Sequence, residues 1–279
     1  MCSLFEGLGA ENVTSEAAVT ATLDVSENLW SVTVLNDLIC VLCRGPTLIR
    51  FYLNEPPYVA QSEMTPQSIV NPWDLKASDS SNCLYITDRD VACVWKVTHN
   101  ERIVTKWLVG LTAPYRLSVN ADGYVMIAKW GSPASIDTLD ANGHMSEHLR
   151  LPLQIVEPRD AVETLNGNIV VSHIWKDTGL WGVSELTRKG HMVHRFAPKQ
   201  DSQKLNFPSE LSVDSSGRVY VADYNNDRVI LLSCELEWSE ILLTKQKDNV
   251  QKPRSLCHKQ NQLLVAHSTK ISVLRMMKA

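Results

Sequence analysis

The chain has 279 residues, 44% hydrophobic and 21% charged, which excludes a disordered, collagenous or supercharged polymer. That length allows one large domain or two small ones. Lys plus Arg number 27 against 31 Asp plus Glu, a formal charge of -4, which excludes bulk positive charge as a grip on nucleic acid and leaves only a local basic face.

From the N-terminus, MCSLFEGLGAENVTSEAA has no basic flank and no long apolar core, so it does not read as a signal peptide. Asn12-Val13-Thr14 is a glycosylation triplet that would matter only after secretion. Residues 1–16 are expected to form a flexible lead-in. AAVTATLDV at 17–25 is a strand without a unit of its own. LWSVTVL (29–35), LICVLC (38–43) and TLIRFYL (47–53) follow as three strands separated by short polar turns. Cys40 and Cys43 form a CxxC, but residues three apart on a strand point to opposite faces, which suits neither chelation nor redox pairing. The seven cysteines are scattered and odd in number, so free thiols in a reducing, cytoplasmic setting are expected. No apolar run approaches the ~18 residues of a membrane-spanning helix.

A repeat begins at residue 71. NPWDL (71–75), APYRL (113–117), EPRDA (157–161), FPSEL (207–211) and KPRSL (252–256) align, and their prolines lie 42, 44, 50 and 45 residues apart. Each is followed by a second strand: CLYITD (83–88), YVMIAK (124–129), NIVVSH (168–173), RVYVAD (218–223) and QLLVAH (262–267). Third strands follow near 91–97, 134–139, 180–186, 228–233 and 270–275, and fourth strands near 102–108, 145–150, 191–196 and 238–243. A four-stranded unit of this period is a propeller blade. With the proline-free unit at 29–53 there are six, and the last lacks a fourth strand. The strand at 17–25 is expected to supply it and close the ring. The expected fold is all-β: one six-bladed propeller over residues 1–279.

The cleanest unit is FPSELSVDSSGRVYVADYNNDRVILLS at 207–233. It has Pro208, the Asp214-to-Gly217 turn, Ala222-Asp223, Asn225-Asn226 and Arg228-Val229, and so resembles the NHL repeat of six-bladed propellers. Other units depart from it: Lys129, His173 and His267 stand where Asp88 and Asp223 stand elsewhere. Gly-His and Trp-Asp, the marks of WD repeats, do not recur. The resemblance implies a propeller like that at the C-terminus of tripartite-motif ubiquitin ligases, which binds protein or single-stranded RNA. No Cys/His zinc module accompanies it, so no ligase activity is expected of this chain. A solitary propeller and a piece of a longer protein both stay open.

The resemblance also implies that residues after each proline approach one rim of the channel. They read Trp73-Asp74, Tyr115-Arg116, Arg159-Asp160, Ser209-Glu210 and Arg254-Ser255, with Trp30-Ser31 in the first unit. Arginines and aromatics there suit a peptide anchor or a stacked, phosphate-bearing strand, while the interleaved acids repel phosphate or pair with the arginines. Trp130, Trp175 and Trp181 flank loops after second strands and could add a recognition patch.

Related propellers include a lyase with a three-histidine channel zinc. His173 and His267 are candidate ligands, with Asp88 or Asp223 to complete the set, but Lys129 shares that ring. The central calcium cage of propeller hydrolases cannot be assembled from equivalent positions. His144, His148, His191 and His194 read as surface residues. GxSxG, Walker, GxGxxG and HExxH motifs are missing. The expected function is non-catalytic binding of a protein or peptide near Trp73, Tyr115, Arg116, Arg159, Trp175 and Arg254. Single-stranded RNA binding and a metal-dependent enzyme are the alternatives. No cofactor, DNA or membrane is expected, and the domain is expected to be monomeric.

Overall fold

The computed structural model describes residues 18–44, 48–111, 116–198 and 200–276. The lead-in, the Asn12 triplet, Cys2, Pro114 and Tyr115 lie outside them. β1 spans Ala18–Asp24. The first blade is β2 (Leu29–Leu35), β3 (Leu38–Cys43), β4 (Leu48–Leu53) and β5 (Ala60–Met64). The second is β6 (Pro72–Ser78), β7 (Cys83–Asp88), β8 (Cys93–Thr98) and β9 (Val104–Val109). The third is β10 (Leu117–Val119), β11 (Val125–Lys129), β12 (Ser135–Leu139) and β13 (Met145–Arg150). The fourth is β14 (Ile155–Glu163), β15 (Ile169–Trp175), β16 (Trp181–Leu186) and β17 (Met192–Arg195). The fifth is β18 (Pro208–Val213), β19 (Val219–Asp223), β20 (Arg228–Leu232) and β21 (Trp238–Thr244). The sixth is β22 (Pro253–Lys259), β23 (Gln262–His267) and β24 (Lys270–Arg275), completed by β1.

The protein is thus a six-bladed propeller of four-stranded antiparallel blades, closed by its N-terminal strand. Ala18 pairs with Arg275 and Asp24 with Lys270, so strand hydrogen bonds join the chain's two ends. The first blade's outer strand, AQSEM, carries no apolar alternation and has no counterpart in the sequence reading. It is exposed or half-buried throughout, because an outer strand has little to pack against.

Inner and middle strands are covered on both faces by neighbouring blades, so they read as near-continuous apolar runs. β2, β7 and β19 are buried at every residue. The core is a ring of six clusters, each between successive blades: Ile49 and Trp95 meet between the first and second, Met126 and Ile169 between the third and fourth. Cys40, Cys43, Cys83 and Cys93 are free and buried in this core, and burial pushes Cys40 up to about 12 and Cys43 up to about 11. Such thiols are packing groups rather than nucleophiles. Among the described residues, no helix is long and apolar enough to cross a membrane.

A bulge interrupts the start of five inner strands. The register shifts between Leu29 and Ser31, Pro72 and Asp74, Val156 and Asp160, Pro208 and Glu210, and Pro253 and Ser255. A bulge frees the extra residue from the ladder and re-aims its side chain. The freed residues are Trp30, Trp73, Ser209 and Arg254, with Arg159 ending the longer insertion of the fourth blade. Pro72, Pro208 and Pro253 open their strands, where a missing N–H does least harm.

Candidate functional site

Pro72, at the start of β6, pairs with Asp88 at the end of β7, and Cys93, at the start of β8, with Val109 at the end of β9. The bulges, the second-to-third-strand turns and the fourth-strand ends therefore share one end of the ring, the upper face.

Just below the mouth, Ser31, Asp74, Asp160, Glu210 and Ser255 occupy the position after the five bulges, Arg116 stands just before the third blade's inner strand, and all six are buried. Each of the three acids ties its own blade to the inner strand of the next. Asp74 Oδ2 accepts the Leu117 N–H at 2.9 Å, Asp160 Oδ2 that of Leu211 at 2.8 Å, and Glu210 Oε1 that of Leu256 at 3.1 Å. Ser255 Oγ accepts the Val32 N–H at 3.1 Å, completing the tie across the closure. Arg116 Nη1 donates to Asp74 Oδ1 at 3.0 Å and to Glu210 Oε2 at 2.6 Å, while its Nη2 donates to the Arg254 carbonyl at 2.7 Å. Lys76 reaches Glu210 from the opposite blade. These groups plug the channel. Arg116 is a strut in that plug, beneath the surface to which the sequence reading assigned it.

Above this plug the bulge residues meet residues that follow the second strands. Trp30 and Trp73 pack with centroids 4.5 Å apart. Arg44 lies 5.2 Å over Trp30, and Arg89 lies 4.7 Å over Trp73. Arg159 stacks on Trp130 at 4.5 Å, Phe207 at 4.7 Å and Trp181 at 5.3 Å. Arg254 lies 4.8 Å over Trp30 and 4.9 Å over Tyr224. Such cation–π contacts each contribute ~0.5–2 kcal/mol and hold both partners in place. Trp73, Arg159, Phe207, Tyr224 and Arg254 surround a cavity of about 30 Å³ floored by Arg116, room for roughly one water. A larger cleft of about 500 Å³ lies along β1 beside Tyr52 and Tyr58, on the outer side of the closing seam.

The structure thus brings Trp73, Arg159 and Arg254 together. Tyr115 lies outside the described residues. Trp175 makes ring contacts instead with His173, at 4.5 Å, and Arg195, at 5.9 Å, and it packs over Gly182, where a Cβ would collide with its indole. The sequence reading left Arg44, Arg89, Phe207 and Tyr224 out of the mouth. Arg44, Arg89, Trp130 and Tyr224 share a signal: each directly follows the end of a second strand.

The second-strand ends themselves are turned inward. Asp88 accepts the N–H groups of Val70 at 2.8 Å and Asn71 at 3.2 Å, and the Trp95 indole N–H at 3.2 Å. Asp223 accepts the Asn206 N–H and Arg228 Nε, each at 2.7 Å. Lys129 pairs with Asp137 at 2.9 Å. His173 bonds Ser184 at 2.8 Å and His267 bonds Ser272 at 2.9 Å, each within its own blade. Burial pushes both imidazoles down to about 4. Among the described residues, no three His, Cys, Asp or Glu side chains form a group able to hold a metal. Of the outer histidines, His148 bonds Asp137 and His194 bonds Glu185, each at 2.6 Å, while His144 and His191 are exposed.

This is a six-bladed propeller whose mouth is built from stacked arginines and aromatics. Residues 205–230 match the NHL repeat. The chain matches no curated protein. Virginiamycin B lyase from Staphylococcus aureus superposes with a TM-score of 0.65 at 11% identity, covering 92% of this chain and 99% of that one. The Xanthomonas campestris gluconolactonase XC5397 gives 0.69 at 12% identity, covering 92% and 89%. A chain of the nidogen/laminin complex gives 0.64 at 10% identity, covering 82% and 84%. At these identities the likeness is one of fold, and this fold carries enzymes and binding proteins alike.

Proposed function

We propose that the domain is a non-catalytic binding module whose upper face takes a protein segment. One observation carries this reading: the arginine–aromatic mouth sits on a face whose loops and strand ends expose Val70, Val109, Leu153 and Leu180. Aromatic and arginine anchors beside exposed apolar side chains are the composition of a protein-binding surface. Arg44, Arg89, Arg159, Arg254 and Lys252 at the same mouth favour single-stranded RNA as the second reading, because bases stack on such platforms. The apolar neighbours, and the acids buried under the mouth, support protein over RNA. The NHL repeat at 205–230 supports placing the domain with the tripartite-motif type of propeller, and the free buried thiols support a reducing, cytoplasmic setting.

Peptides selected from a random displayed library against the protein, then measured against Trp73→Ala and Arg159→Gln, test this reading. Each substitution is expected to weaken binding about tenfold. Full retention by both variants rejects the face. Salt-sensitive binding of an oligonucleotide with no peptide binding puts RNA in its place.

A further inference from the structure

We infer that Arg254 is a seat for an acidic side chain, so that the segment taken at the mouth presents an Asp or Glu carboxylate between Trp30 and Tyr224. This rests on the peptide-binding reading above and specifies the chemistry of its ligand.

The argument begins from charge pairing. Arg116 pairs with Asp74 and Glu210, Lys76 with Glu210, Lys129 with Asp137, Arg228 with Asp223, and Arg159 faces Glu157 at 3.5 Å. Arg254 is half-buried at the centre of the same region, and among the described residues no carboxylate lies within ion-pair distance of it. Its side chain makes one hydrogen bond, from Nη2 to Tyr224 Oη at 2.9 Å. Its remaining N–H donors make no bond within the described protein. Arg254 also occupies a bulge, the feature that aims a side chain into the mouth.

The surroundings sharpen the need for an anion. Burial, and then the like charges of Arg116 and Arg44, pull the Arg254 guanidinium below its ordinary range, against the opposing effect of Tyr224. A desolvated cation with cationic neighbours and no counter-ion is costly. An arriving carboxylate relieves that cost and gains charge-assisted hydrogen bonds from a guanidinium already held by two rings. Exposed Arg44, and exposed Lys252 lying 5.6 Å over Tyr224, flank the approach. Nearby acids on this face are engaged elsewhere: Asp227 with Lys245 and the Lys252 N–H, and Asp90 with Asn71.

A single planar carboxylate fits better than a phosphate. The seat offers one guanidinium edge above a cavity of about 30 Å³. Asp74 and Glu210 lie directly beyond Arg116, and their charge opposes a more highly charged group. The exposed aliphatic side chains around the mouth suit a peptide chain rather than a sugar–phosphate backbone.

Fluorescence anisotropy with a labelled decapeptide of alternating Glu and Tyr tests the inference. The comparison probes are the same peptide with Gln for Glu and a uridine decamer. The Glu peptide is expected to bind the wild-type protein about tenfold or more tightly than the Gln peptide, and to lose that advantage with Arg254→Met. Arg44→Gln, an exposed change that spares the core, is expected to weaken the Glu peptide several-fold and to leave the remaining binding less salt-sensitive than in wild type. Far-UV circular dichroism confirms that Arg254→Met is folded; if it is not, the Glu-against-Gln comparison and Arg44→Gln decide. Equal binding of Glu and Gln peptides, or an Arg254→Met variant that keeps the preference, overturns the inference. If peptides bind through Trp73 and Arg159 regardless of Glu and Arg254, this inference falls and the protein-binding face stands. If only the uridine decamer binds, both fall.

Discussion

Asp160 of the fourth blade accepts the backbone N–H of Leu211 in the fifth at 2.8 Å. Asp74 and Glu210 do the same for Leu117 and Leu256. The inner strand of a blade has one edge facing the channel, and its N–H groups would be left without partners in a plugged channel. One acid per tie supplies the acceptor, and Arg116 and Lys76 offset the charge so collected.

That offset is incomplete, with three buried acids against two cations, and Asp160 shows it. Burial, then the charge of Glu210, push its carboxyl from 3.8 up to about 7 against the pull of Lys76. A group whose native pKa is raised stabilises the fold fully below its unfolded value, and the contribution is lost as pH rises from about 4 through about 7. Asp160→Asn removes this loss. Its stability relative to wild type should rise by about 1–3 kcal/mol between about pH 5 and pH 8, whatever the constant cost of the substitution. Denaturant titrations of both proteins across that range check it; a difference that does not change with pH refutes it.

His173 and His267 give the opposite slope. Burial lowers both from 6.5 to about 4, so each must gain a proton on unfolding in mild acid. Their contribution is present above about pH 6.5 and is lost as pH falls through about 4. Replacing both with Gln should flatten the fall in stability between those values by about 1–3 kcal/mol per site. Parallel denaturation curves at about pH 7 and pH 4.5 measure the slope, and an unchanged slope would show that the rings titrate normally in the fold.

The ring was legible in the sequence because the prolines, the polar turns and the apolar second strands share one period, and because one strand was left over at the N-terminal end while the last unit lacked one. The mouth was legible only in part. Trp73, Arg159 and Arg254 each occupy the residue that the bulge frees, and Arg116 stands one residue later, in the slot of Asp74 and Asp160. That offset was visible, but its consequence depends on acids contributed by other blades. Arg44, Arg89, Trp130 and Tyr224 recur in position but not in residue type, so their period is hidden by their chemistry. Trp175 turns aside because Gly182 leaves room for it, a space created by strand pairing that no linear pattern reveals.

Asp223 closes the strand of the best-preserved repeat, and its removal should be severe. It is buried and accepts hydrogen bonds from the Asn206 N–H, Asn226 Nδ2 and Arg228 Nε, each at 2.7 Å. Arg228 in turn holds the carbonyls of Ser202 and Lys204 at 2.6 and 2.8 Å. Asp223→Ala leaves a buried guanidinium unpaired, a change that costs about 3–5 kcal/mol. Thermal unfolding should show a large drop, with Asp223→Asn losing less, and protease cleavage near residues 200–207 should accelerate. Equal melting of the Ala variant and wild type would show that Asp223 carries no such burden.

The closing strand offers the most direct test of the ring. β1 pairs with β24 over six residue pairs, and Leu23 enters the cluster that contains Leu264 and Val273. Without β1, β24 becomes an open edge with the sequence KISVLR, and the seam between sixth and first blades loses part of its apolar cover. Deleting residues 1–24 should cost about 3–6 kcal/mol through lost ladder bonds and burial, and should promote association through the new edge. Leu23→Asp, which keeps the backbone ladder but buries a charge, should fall between the deletion and wild type. Limited proteolysis and concentration-dependent light scattering measure both effects. A synthetic peptide of residues 17–25 added to the deleted protein should restore protease resistance by re-forming the β1–β24 pair. Unchanged resistance after deletion, or failure of the peptide to protect a protein shown to be folded, would mean that the ring holds without this closure.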